Sequence, residues 1–167
     1  MIDSAKLTQQ LLKLEQSKDR GKLSHLRRWW SPATRHYAFP VIAGIAGSYA
    51  IDDLPICIVA ALFAEHPKHS DKIKNFGTTC RNVAGKNKDT FESHFRRLLS
   101  SGPIEADLAS ALHRIVKRAK KDGTPINFTQ LHQDLYKWKY SAEKIKTDWA
   151  KEFWSVPDES KLDIPAS

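Results

Sequence analysis

The side chains most able to do chemistry in this chain are cations on one arc of a helix. At about 100° per residue from Leu108, the residues Leu112, Ile115, Val116 and Ala119 share a stripe about 100° wide, which must face a core. Arg114, Lys117, Arg118 and Lys121 fall together on the opposite arc, and no acid lies between Asp107 and Asp122. A solvated helix usually mixes signs, so a face of one sign points to a polyanion as partner. The plain alternative is a basic surface that serves only solubility.

Other chemistries find less support. His66-Pro67-Lys68-His69 has a ligand-like gap, but it straddles a helix end with no cysteine or carboxylate pair beside it, and structural zinc wants four ligands at set spacings. Asp52-Asp53 are adjacent, so on a helix they diverge, and capping accounts for them. The acids are too dispersed for a metal-dependent nuclease, which needs convergent carboxylates. The chain has no glycine-rich phosphate loop and no nucleophile elbow, and no spacing sets a Ser/His pair apart. We therefore expect no catalytic activity, no metal and no cofactor.

Charge reinforces the cationic reading. Of 167 residues, 27 are Lys or Arg and 19 are Asp or Glu, a net of +8. Residues 81–121 hold ten cations (Arg81, Lys86, Lys88, Arg96, Arg97, Arg114, Lys117, Arg118, Lys120, Lys121) against four acids, so +6 of the +8 lies in a quarter of the chain. Phosphate backbones reward such a patch through counterion release; acidic protein or an anionic membrane surface could reward it too. Two cysteines, Cys57 and Cys80, with no secretory signal ahead of them, suggest buried thiols and a cytoplasmic protein. The apolar run Leu54–Ala64 is about half of what a bilayer span requires, so no membrane partner is expected.

The elements that must position these cations read as helices throughout. No period-2 alternation is sustained, and helix punctuation recurs. The spacing predicts helices over Ser4–Ser17 and Lys22–Trp30, with Leu23, Leu26 and Trp30 on one face of the second. Ser31-Pro32 resembles an N-cap followed by a first-turn proline, and Pro40 makes a break or a new start. Asp52 or Asp53 can cap an almost wholly apolar helix that ends at His66-Pro67. Further helices follow over Asn75–Ala84 and Thr90–Ser100, and then the basic helix closed by Gly123. Asn127–Gln130 reads as a capping box opening a helix through Trp138, and Ser141 opens the last one. We expect an all-α bundle of eight or nine helices in one domain over residues 1–154. Any division into two lobes would fall near residues 67–75, and 155–167 should form a flexible tail.

The aromatics sort by the same stripes. Trp30 shares a face with Leu23 and Leu26, and Trp138 with Leu131 and Leu135, so both are expected in the core. Trp29 and Tyr140 fall off those stripes and are left as interface candidates, where bases could stack.

Asp19-Arg20-Gly21-Lys22-Leu23, followed by Leu26-Arg27-Arg28, resembles the opening signature of the CasB family, the small subunit of the type I-E Cascade complex of CRISPR immunity. Four further segments agree in order and spacing: Ala60–Ala64, Phe91–Leu99, Leu112–Lys120 and Trp149–Trp154. The similarity covers roughly residues 19–154. It implies an all-α, noncatalytic subunit, present as two copies beside other Cascade subunits and a guide RNA, that helps hold target and displaced DNA during R-loop formation. The site residues it implies are Arg27, Arg28, Arg96, Arg97, Arg114, Lys117 and Arg118, with Arg81 and Lys144 as looser matches; Lys121 joins them from the basic arc. His94 and His113 depart from the family's frequent arginine at those places, and a neutral histidine is a weaker phosphate ligand. The sequence thus points to a nonenzymatic DNA-binding subunit, with a helical adaptor for an acidic protein and a cryptic nuclease as rivals.

Overall fold

The computed structural model describes residues 1–155, with the backbone alone at 105 and 106. The expected tail lies outside them, save Ser155. Among the described residues are eight α-helices: α1 (Ser4–Gln16), α2 (Arg20–Arg27), α3 (Phe39–Ala46), α4 (Leu54–Glu65), α5 (Phe76–Ala84), α6 (Lys88–Leu99), α7 (Ala109–Asp122) and α8 (Phe128–Phe153). No strand occurs among the described residues; one isolated bridge pairs His69 with Ile126.

The centre of the bundle is α4. Asp53 caps it by accepting from the Ile56 amide at 3.1 Å. Every residue from Ile56 to Ala64 is buried, because α2, α7 and α8 pack on it from several sides. Burial pushes the Cys57 thiol up to about 12 and the Cys80 thiol well above its usual range; both are free. The connection 66–75 is bound to the turn before α8. His66 Nε2 lies 2.7 Å from the Thr124 carbonyl oxygen, and Asn127 Nδ2 donates to the Ile73 carbonyl at 2.9 Å.

Several local expectations are corrected. Ser31-Pro32 starts no helix: residues 31–34 form turns, Arg35–Ala38 is a 3-10 turn, and Pro40 sits in the first turn of α3. The second helix stops at Arg27 and tightens into a 3-10 turn over Arg28–Trp30. In 3-10 geometry residues i and i+3 eclipse, so Trp29 rather than Trp30 continues the line of Leu26. Trp29 is 5% exposed, which removes it as an interface candidate, while Trp30 is only partly buried. A π-helical turn, Ile104–Leu108, precedes α7. Asn127 caps α8 through the Gln130 amide, but the Gln130 side chain turns to Asp134 instead of closing a box. The complete capping box lies at Asn75 and Thr78. The division expected at Ser141 is present: that residue is non-helical (φ −133°, ψ 26°), and two helices meet there at a kink within α8.

Candidate nucleic-acid interface

The cations of interest ride on α6 and α7, and apolar packing fixes how both helices lie. Phe91, Phe95 and Leu98 bury one side of α6, and Phe95 stacks on Phe153 of α8 with centroids 4.1 Å apart. Leu108, Ala111, Leu112, Ile115, Val116 and Ala119 are all buried, so the basic arc of α7 must face outward. Gly123, in the left-handed region at φ 70°, ends α7.

The two helices meet at Arg118. Arg118 lies 5.3 Å from the Phe91 ring and 3.5 Å from His94 Nε2. Arg97 follows His94 by one turn; Arg114 precedes Arg118 by one turn; Lys117 and Lys121 share that face. Arg97, Arg114, Lys117, Arg118 and Lys121 are exposed, and none makes an ion pair among the described residues.

The other candidates are placed differently. Arg27 is exposed, yet its guanidinium donates to the Ala64 carbonyl at 3.0 Å, satisfying the end of α4. Arg28 is exposed over the Tyr37 ring, 4.4 Å from its centroid. Arg81 is held by the C-terminal end of α8: it donates to the Glu152 carbonyl at 3.2 Å and to Ser155 Oγ, with the Glu152 carboxylate 3.9 Å away. Arg96 pairs with Glu92 at 3.3 Å, and Lys144 with Asp148 at 2.9 Å. Seven of the ten candidates are thus without a carboxylate partner among the described residues. Tyr140 is 79% exposed.

His113 belongs to the body of the protein rather than to the track. Its ring stacks on Trp30 (3.9 Å, 8°), and its Nε2 lies 2.9 Å from Glu65. Burial holds it below the ordinary histidine range, aided by Lys117 and opposed by Glu65. Burial alone would raise Glu65, but His113 and Lys120, 3.5 Å away, outweigh it and keep the carboxyl low.

A second basic surface surrounds Arg27 and Arg28. Residues 20–51 contain no Asp or Glu but hold Arg20, Lys22, Arg27, Arg28 and Arg35. That run was visible in the sequence. The Trp30–His113 stack was not, and it brings this segment against α7 beside Arg114.

Among the described residues no group of three or more His, Cys, Asp or Glu converges as metal ligands. His69 bonds Asp71 at 2.7 Å and the Phe128 amide at 3.1 Å, so the His66/His69 spacing is occupied by structural hydrogen bonds. No described helix is long and apolar enough to cross a membrane.

Comparison with known proteins agrees with this architecture. The family model for CRISPR-associated protein Cse2 matches residues 17–154. The fold is similar to a CRISPR-associated protein of the Cse2 family from Thermus thermophilus, at TM-score 0.76 and 19% identity, covering 93% of this chain and 100% of that one. It is also similar to a structure of CasB from Thermus thermophilus, at TM-score 0.73 and 20% identity with the same coverage. No curated protein matched. An all-α bundle matched by the family model from residue 17 to residue 154 belongs to the CRISPR-associated Cse2, or CasB, family, and the chain is a CRISPR Cascade subunit.

Proposed function

We propose that the chain holds DNA within Cascade through backbone contacts, retaining the target and displaced strands and so stabilising the R-loop. One observation carries the reading: five cations from two adjacent helices, Arg97, Arg114, Lys117, Arg118 and Lys121, are exposed without carboxylate partners among the described residues. R-loop formation exchanges one duplex for another of similar stability, so contacts that ignore sequence can tip it. Cations fixed on helices supply such contacts and position a strand without reading bases. Arg27 and Arg28 extend the surface from the neighbouring acid-free segment. Arg81, Arg96 and Lys144 would each give up an internal partner to contribute. In the complex, a second copy and the guide-RNA-bearing subunits complete the channel. The chain contributes no reaction step.

The test is charge reversal of Arg97, Arg114 and Lys117 to Glu in a reconstituted complex. The expected result is loss of DNA retention with the helical circular-dichroism spectrum unchanged. Full retention by that variant refutes the assignment of this face.

A further inference from the structure

We propose that Arg28, His36, Tyr37 and His25 form a stacking site for an unpaired base of a single DNA strand. The proposal rests on the DNA-holding reading above and adds that this part of the surface takes a base face rather than a phosphate alone. Four planar groups converge here from α2 and the two 3-10 turns that follow it. The Arg28 guanidinium lies 4.4 Å from the Tyr37 centroid, the His36 ring 4.6 Å at a 32° tilt, and the His25 ring 5.8 Å at 40°. All four residues are exposed, Tyr37 by 42%.

The surrounding turn is held in place, so the cluster does not assemble at random. Thr34 Oγ1 donates to the Arg28 carbonyl at 2.9 Å, and the Tyr37 amide donates to the Thr34 carbonyl at 3.0 Å. Arg35 Nε donates to the Trp29 carbonyl at 2.8 Å, and its guanidinium lies 4.2 Å from the Trp29 ring centroid. Trp29 itself is buried, which anchors the turn to the core. A platform fixed before binding loses little freedom when a ligand arrives.

Charge and continuity identify the occupant. No carboxylate lies in residues 20–51; Arg28 is exposed in the cluster and Arg27 is exposed beside it in the chain, where the phosphates on either side of a stacked base would run, while Lys22 pairs with Asp19 at 3.6 Å. The Trp30–His113 stack at 3.9 Å joins this surface to α7 and its Arg114. Every base offers a flat face to an aromatic ring or a guanidinium, so binding tolerates sequence. In duplex DNA those faces are covered by neighbouring pairs. The site therefore favours an unpaired strand, the form in which the displaced strand of an R-loop exists.

The experiment uses the full chain, a single strand carrying 2-aminopurine at its centre, and a duplex of matching sequence. The wild-type chain should quench 2-aminopurine on binding. Tyr37→Ala should abolish the quenching and weaken single-strand affinity roughly tenfold while duplex affinity stays within about twofold. Tyr37→Phe, which keeps the ring, should restore both, and circular dichroism should show all three proteins equally folded. Single-strand binding and quenching that survive Tyr37→Ala overturn the proposal and leave the phosphate track standing. So does an equal loss for both DNA forms. Tyr37→Ala protein that binds both forms normally but loses a neighbouring Cascade subunit reassigns the cluster to protein docking. A wild-type chain that binds neither form overturns the DNA reading along with this site.

Discussion

Gly77 lies in α5 against the backbone of α8, and it is the tightest of the seven glycines to add an atom to. A Cβ there would sit 2.1 Å from the Trp149 carbonyl oxygen and 2.7 Å from its carbonyl carbon and Cα. Real Cβ contacts essentially never fall below 3.0 Å, so Gly77→Ala must open the α5–α8 contact by at least the difference, 0.9 Å. The obstacle is helix backbone, which cannot rotate aside as a side-chain tip can. The Trp149 side chain would move with it. That indole is fully buried, donates to Asp134 Oδ2 at 2.9 Å, and packs with centroids 5.5 Å from both Phe76 and Trp138. Overpacking of this kind costs about 3 kcal/mol, at the upper end of small-to-large core changes. For a chain of this size that corresponds to a melting temperature lower by about 6–12 °C. Guanidinium unfolding followed by circular dichroism measures it directly, with the midpoint falling and the slope unchanged. DNA binding should weaken as a consequence, because Phe153 on the same helix stacks under Phe95 of α6, which carries Arg97. A stability change under about 0.5 kcal/mol, the range of neutral surface changes, would refute the close-packing argument.

Two further outcomes are expected. Burial lowers His66, His113 and His132 below their ordinary value of 6.5, and the Asp53 carboxylate only partly opposes this at His132; each binds its proton less readily folded than unfolded, so stability should be full above that value and fall as pH drops through it. A melting-temperature titration should show this acid-side decline, and His132→Asn should make it shallower; an unchanged slope would contradict the assignment of His132. Arg81→Ala should act chiefly on stability, lowering it by about 1 kcal/mol through the lost bonds to Glu152, with little change in DNA affinity; a gel-shift assay in which affinity collapses while the melting temperature holds would put Arg81 on the DNA surface instead.

The helical frame was legible where a local rule acts alone. The stripe Leu108–Ala119 needs only the helix period, Gly123 only its tolerance of positive φ, and Asp53 only a free amide three residues on. The errors fall where neighbouring elements overrule that period. Tightening at Arg28–Trp30 shifted the inward tryptophan by one residue, and Ser31-Pro32 became a turn because Arg35 and Thr34 fold back onto Trp29 and Arg28. The candidate site was legible only in part. Exposure of Arg97, Arg114, Lys117, Arg118 and Lys121 follows from their stripes. The engagement of Arg81 does not, since it meets a carboxylate 71 residues away. Glu92 and Asp148 do lie one helical turn from their partners, at a spacing that signals pairing. The Tyr37 cluster needed both a sequence signal, the acid-free run 20–51, and the fold that turns it back on Arg28.

The salt dependence of DNA affinity tests the backbone-contact claim most directly. The five cations of α6 and α7 alone predict a slope of log affinity against log salt of about −4.5 on duplex DNA, steeper where Arg27 and Arg28 also reach phosphate, and charge reversal of Arg97, Arg114 and Lys117 should shrink its magnitude by about 2.7. A wild-type slope near zero, or the same slope in both proteins, would contradict the account.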